Sequence, residues 1–142
     1  MIRYGKSTQN AIAAMSRLAE VYNDGQRLSS HDIAECRGVS QTLVAKLLTQ
    51  LSQAGLVSGA RGPNGGYALS HTPAEITLLQ IASVFERTDD RAACPLGQGW
   101  CGNHKPCPIH DELADLDKQA ERFLETTTLE RFQAPRQADT CG

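Results

Sequence analysis

Residues 39–69 read VSQTLVAKLLTQLSQAGLVSGARGPNGGYAL, and the fold turns on this stretch. Val44, Leu47, Leu48 and Leu51 recur at i, i+3, i+4 and i+7, which is the apolar stripe of an amphipathic helix, and Ser40 stands where a cap is needed. The other face carries Gln41, Thr42, Ala45, Lys46 and Thr49. Gly55 stops the helix and Leu56-Val57 opens a short strand. Tyr67-Ala68-Leu69 supplies a second strand, and the Gly- and Pro-rich run from Gly59 to Gly66 joins the two as a hairpin.

Working upstream, Ser29 or Ser30 caps a short helix through Cys36 that turns Ile33 and Ala34 inward, and Gly38 supplies the turn after it. Two helices joined by a short turn containing Gly, the second polar on one side, form a helix-turn-helix, and the hairpin is its wing. Asn10 to Tyr22 precedes them as a first helix bearing Ala11, Met15, Leu18, Ala19 and Tyr22, closed by Asn23-Asp24-Gly25. The expected fold class is mainly α with a small β wing: a winged helix-turn-helix DNA-binding region over 1–87, followed by a long C-terminal dimerisation helix.

This architecture nominates a DNA surface. Gln41, Thr42, Lys46 and Gln50 offer amide, hydroxyl and ammonium groups to base edges or phosphates. Arg61 sits near the tip of the wing, where a loop with few bulky side chains can bring a cation into a narrow minor groove. Arg3, Lys6 and Arg37 are the expected phosphate contacts because they lie in the basic half of the chain. Residues 1–72 hold seven Lys or Arg against four Asp or Glu, and residues 73–142 hold seven against twelve, so a basic reading part precedes an acidic assembly part.

The 142 residues support one domain with a modest core, built from Leu, Ile, Val and Ala because there are only one Trp, three Tyr and three Phe. The beginning of the sequence lacks a secretory pattern and no run approaches a membrane span, so a cytoplasmic protein with no membrane partner is expected. A dinucleotide fingerprint, a P-loop and an evident nucleophile–base pair are all missing, which argues against an enzyme.

A second motif follows the winged region. Cys94, Cys101 and Cys107 fall within fourteen residues rich in Gly and Pro, with His104 and His110 among and just beyond them. The segment has neither helical nor strand period, so something other than hydrophobic burial must order it. Soft thiolates at close spacing in a reducing compartment suit a zinc or iron-sulfur centre, with a thiol switch as the other reading. Cys36 reads as semi-buried structure, and Cys141 lies in a polar tail, 135–142, expected to be disordered.

Together, Tyr4-Gly5-Lys6, Ala11 to Met15, Val39-Ser40, Ala54-Gly55-Leu56-Val57, the wing Arg61-Gly62-Pro63-Asn64-Gly65-Gly66-Tyr67-Ala68-Leu69, Glu75-Ile76-Thr77-Leu78 and Thr127-Thr128-Leu129 resemble the IscR/NsrR/CymR-type winged helix-turn-helix regulators, the Rrf-two family. The resemblance spans nearly the whole chain and its wing is the most specific piece. It implies a homodimeric transcriptional regulator and places an iron-sulfur cluster on Cys94, Cys101 and Cys107. The first gap between these cysteines holds six residues and the second five, so the first is one residue longer than in the resembled cluster regulators; Gly97 and Gly99 can absorb the difference. His110, three residues beyond Cys107, is the expected fourth ligand of a two-iron, two-sulfur centre, with a four-iron cluster as the alternative. Gln9 is the rival, since in the nitric-oxide-sensing relatives a polar side chain from the partner's first helix reaches the cluster. His104 is expected to be solvated.

After the cysteine loop, 88–108, the segment 109–134 places Ile109, Leu113, Leu116, Ala120 and Phe123 or Leu124 at steps of four, three, four and three or four. Such a heptad-like seam, in a chain already provided with a complete winged helix, is expected to pair two subunits. Two recognition helices related by a two-fold axis imply a pseudo-palindromic DNA site. A cluster ordering the loop would then set the spacing of the two reading heads. The competing functions are a redox carrier built on the cluster, a zinc- or thiol-based sensor, and a protein-interaction module on the same fold.

Overall fold

The computed structural model describes residues 5–86 and 108–133. Its elements run α1 (Lys6–Glu20), α2 (Ser30–Arg37), α3 (Gln41–Gln53), β1 (Val57–Ala60), β2 (Gly66–Leu69), α4 (Leu78–Phe85) and α5 (His110–Thr126), with short 3-10 turns at Tyr22–Asp24, Pro73–Glu75 and Leu129–Gln133.

α1 starts earlier than its apolar spacing suggests. The backbone N–H of Gly5, its N-cap, donates to Glu86 Oε1 at 2.9 Å, and the Thr8 hydroxyl donates to the same oxygen at 2.7 Å. A carboxylate from the far end of α4 thus satisfies a helix start that has no local capping side chain. Tyr22 falls outside α1, in the 3-10 turn that ends at Gly25 with φ 67°.

α2 begins with a capping box. The Asp32 N–H donates to Ser29 Oγ at 3.0 Å and the Ser29 N–H donates to Asp32 Oδ2 at 3.2 Å. Hydrogen bonds from the Ser29 side chain and then its backbone hold the Asp32 carboxyl below its ordinary range. Gly38, at φ 66°, makes the turn into α3. Ser40 occupies the N-cap of α3, and its carbonyl accepts the Val44 N–H at 3.0 Å, although its hydroxyl makes no capping bond.

The wing is an antiparallel pair with Val57 opposite Leu69, Ser58 opposite Ala68, Gly59 opposite Tyr67 and Ala60 opposite Gly66. A third segment joins its edge. Leu28 and Tyr67 exchange backbone hydrogen bonds of 3.0 and 2.7 Å, which ties the residues before α2 to the outer side of β2. Gly66, with φ 124°, permits this approach, because a Cβ there would lie 2.8 Å from the carbonyl carbon and oxygen of Leu28.

The core gathers Met15, Leu18, Ile33, Leu47, Leu48, Leu51, Ile76 and Ile81, all fully buried. Residues 127–129 return to it: the Leu78 N–H donates to the Thr127 carbonyl at 2.9 Å, the Leu129 N–H donates to that of Ile76 at 3.0 Å, and Leu129 is completely enclosed. This edge pairing holds Ile76 and Thr77 extended, so α4 starts at Leu78, behind the Thr77–Gln80 capping box. α5 packs against α4 and buries one side chain of its own, Leu124. No helix among the described residues is long and apolar enough to cross a membrane.

Candidate nucleic-acid interface and its neighbours

α3 divides cleanly. Val44, Leu47, Leu48 and Leu51 are buried, while Gln41, Thr42, Lys46, Thr49 and Gln50 are all exposed along the opposite half of the helix. Beside it, Arg61 stands exposed on the wing. A shallow groove of about 330 Å³ lies between them, lined by Thr49, Ser52 and Gln53 of α3 and by Gly59, Arg61 and Tyr67 of the wing. The fold therefore brings two of the sequence-nominated groups, the α3 face and Arg61, onto one surface. Its donors and acceptors are amides, hydroxyls and two cations, the chemistry that reads base edges and phosphates. Lys6 is exposed in the first turn of α1, and Arg3 lies outside the described residues.

Arg37 corrects its expectation. Its Nη2 donates to Glu20 Oε1 at 2.6 Å and to Ser16 Oγ at 3.1 Å, and its Nε donates to the Ala13 carbonyl at 3.2 Å. Arg17 completes the cluster through Nη1 to Glu20 Oε2 at 2.9 Å. With only a fifth of its side chain exposed, Arg37 fastens α2 to α1 rather than reaching for phosphate. A basic residue in a basic half gave no sign of this, because Glu20 lies on another helix.

Two residues that matter here escape a sequence reading. Glu86 closes the start of α1, as described above, and ends α4 just before the cysteine loop. Arg27 reaches the wing, where its Nη1 donates to the Ser58 carbonyl at 3.2 Å. The only local signal for either is a charge beside a turn.

Cys94, Cys101, Cys107 and His104 lie outside the described residues. His110 is exposed at the first position of α5 and Gln9 is exposed on α1. Among the described residues no three His, Cys, Asp or Glu side chains gather as a metal site. Cys36 is half-buried and disulfide-bonded, and its sulfur accepts Arg37 Nη1 at 3.4 Å.

The remaining surface is on α5. Ile109, Leu116 and Phe123 are 39, 54 and 54% exposed, and Ala120 is exposed with them, while Leu113 is half-covered. The two alternatives at the end of the seam separate: Leu124 turns into the core at 4% exposure and Phe123 turns out.

Three helices, a wing and an added edge strand define a winged helix-turn-helix of the kind found in transcriptional regulators. Residues 4–135 match the model of the Rrf2 family, described as iron-dependent transcriptional regulators, and the chain belongs to that family, one of regulators rather than enzymes. It is similar to the HTH-type transcriptional regulators IscR of Klebsiella pneumoniae and of Escherichia coli, each 34% identical over 98 residues, 69% of this chain. The matched part spans 60% of the length of those relatives. Among solved structures, CymR, the global cysteine regulator of Bacillus subtilis, shares the fold at a TM-score of 0.79 and 24% identity, over 94% of this chain and 98% of that one. T. potens IscR does so at 0.73 and 23%, over 99% of this chain and 93% of that one.

Proposed function

We propose that this protein is a sequence-specific DNA-binding transcriptional regulator that works as a cytoplasmic homodimer on a pseudo-palindromic site, under the control of an iron-sulfur cluster. The observation that carries the DNA reading is the exposed polar half of α3 set beside Arg61, with the apolar half of the same helix locked in the core. Gln41, Thr42, Lys46 and Gln50 would face base edges and phosphates, Arg61 a minor groove, and Lys6 and Arg3 the backbone.

The exposed row Ile109, Leu116, Ala120 and Phe123, with Leu113 beside it, supports α5 as the dimer seam, because apolar side chains at heptad steps gain little by facing water. Two copies joined there carry two recognition helices.

Three thiolates and an imidazole are a donor set that suits an iron-sulfur centre. Cys94, Cys101, Cys107 and His110 would hold it, with Gln9 of the partner subunit as the alternative to His110; two irons fit this set, and four are the alternative. Bound there, the cluster would supply a redox-sensitive centre, and its loss or oxidation would alter how these ligands are held. The chain's own residues would give such a change a route. Glu86 precedes the loop directly and grips Gly5 and Thr8, so a shift of its carboxylate disturbs the first turn of α1, which bears Lys6 and Gln9. At the other end of the loop, His110 opens the helix that carries the dimer seam.

Protein purified without oxygen should be coloured and contain iron, and His110→Ala should change its visible spectrum and reduction potential while Gln9→Ala and His104→Ala leave both nearly unchanged. Colourless, zinc-bearing protein would replace this reading with a zinc- or thiol-based sensor. A change confined to Gln9→Ala would move the fourth ligand to the other subunit. For the DNA reading, the unmodified dimer should enrich a defined duplex from a random-sequence pool, and failure to enrich any would remove it.

A further inference from the structure

The described cations divide by what they meet. Arg17 and Arg37 are paired with Glu20, whereas Arg27 joins no ion pair among the described residues and is exposed. Its side chain donates to a backbone carbonyl, that of Ser58, at 3.2 Å. The geometry of that bond is informative. The Leu28–Tyr67 bridge sets Arg27 opposite Ala68, and Ala68 pairs with Ser58 on the far side of β2. The Arg27 side chain therefore crosses the middle strand of the wing, over the short side chain of Ala68, and grips the outer one. It also lines a cleft of about 790 Å³ together with the wing loop Gly62, Pro63, Asn64 and Gly65. Among the described residues that line the cleft, the carboxylate is that of Asp32, and it is engaged by the Ser29 N–H.

We propose that Arg27 is a phosphate-contacting residue of the DNA interface, held in place by the Ser58 carbonyl and acting beside Arg61 as the second cation of the wing. This inference rests on the DNA reading above. A guanidinium has five N–H donors, and the bond to Ser58 uses one of them, so the others stay available to a phosphate oxygen. The same bond restricts the side chain before DNA arrives, which lowers the entropy lost on binding. Among the described residues no carboxylate pairs with it, so its charge adds to the field along the wing. A phosphate contact carries no sequence information, and its effect is therefore the same on every duplex.

The test compares the unmodified dimer with Arg27→Met and Arg27→Lys. The probes are a duplex that the unmodified protein enriches from a random pool and a scrambled duplex of equal length, each titrated over a range of salt. Arg27→Met should weaken both duplexes by the same factor and make the slope of log affinity against log salt shallower by about 1. Arg27→Lys should keep the slope. Weaker binding of Arg27→Met at an unchanged slope would make Arg27 a splint only and overturn the proposal, as would unchanged binding. Either of those results leaves the DNA reading standing, whereas an unmodified dimer that binds no duplex removes both. Thermal unfolding of each variant checks the wing, and if Arg27→Met does not fold, Arg27→Gln, which keeps a donor for the Ser58 carbonyl, is read by the same criteria.

Discussion

α3 and α5 are both amphipathic helices with apolar residues at three- and four-residue steps, yet they use those residues in opposite ways. α3 buries Val44, Leu47, Leu48 and Leu51 and shows water its polar half. α5 buries Leu124 alone and leaves Leu116 and Phe123 more than half exposed. The periodicity that defines a helix thus does not say where its stripe is satisfied. α3 has α1, α2 and β1 around it, whereas among the described elements α5 meets chiefly α4. The difference separates a helix that completes a domain from one whose apolar row is left over for the second copy proposed above.

The sharpest way to break this contrast is Leu116→Glu. A charge placed in the seam should convert the dimer to monomers with weak affinity for DNA, as read by sedimentation and gel shift; an intact dimer would mean that the stripe serves no subunit contact. Next in size is the pair Leu48→Ala and Phe123→Ala. Leu48 is fully enclosed, so its truncation should cost about 2–5 kcal/mol in denaturant unfolding. Phe123→Ala should instead act through dimer affinity, visible as a concentration-dependent melting temperature. Comparable losses at fixed concentration in both, with no concentration dependence, would erase the distinction.

A smaller effect is expected on the exposed side of the winged core. Arg61→Ala should lower DNA affinity by about 1–3 kcal/mol if it enters a groove, and Lys46→Ala should reduce the salt slope by about 1 if it meets phosphate. Both would leave unfolding nearly unchanged, since neither side chain is buried. Unaltered binding in both would remove this surface from the DNA interface.

The smallest effect concerns the cap of α2. The Asp32 carboxyl is held below its ordinary range by Ser29, so its folded form binds a proton less readily than its unfolded form. The stabilisation it gives is complete above the unfolded value of about 3.9 and is lost as pH falls through the folded value. Asp32→Asn should therefore lower stability slightly at neutral pH, where the carboxylate is charged, and match the unmodified protein below the folded value, a gap that closes on acidification and is readable in urea titrations at several pH values.

Much of the winged core was legible because its signals are local. The α3 stripe, Gly38 and Gly55 as stops, and the Gly-rich hairpin each act within a few residues, and each stands where the sequence placed it. Ser40 marks the start of α3 but does not cap it with its hydroxyl, which spacing alone does not reveal. The candidate interface was partly legible for the same reason: the exposed α3 face is the complement of its buried stripe, and Arg61 follows the β1 strand directly.

Other features depended on residues far apart in the chain. The role of Arg37 was fixed by Glu20 across a helix pair, the start of α1 by Glu86, and the third strand of the wing by Leu28 meeting Tyr67. The choice between Phe123 and Leu124 belongs here too, since adjacent positions fit the same seam and only the packing of α5 on α4 turns Leu124 inward. The sequence by itself determined the helices, their stops, the wing and the family, because periodicity, caps and turn residues are short-range properties of the chain. Tertiary structure alone decided which charges are neutralised within the protein and which remain open to a partner, because the groups that meet Arg37, Glu86 and Arg27 arrive from 17, 81 and 31 residues away.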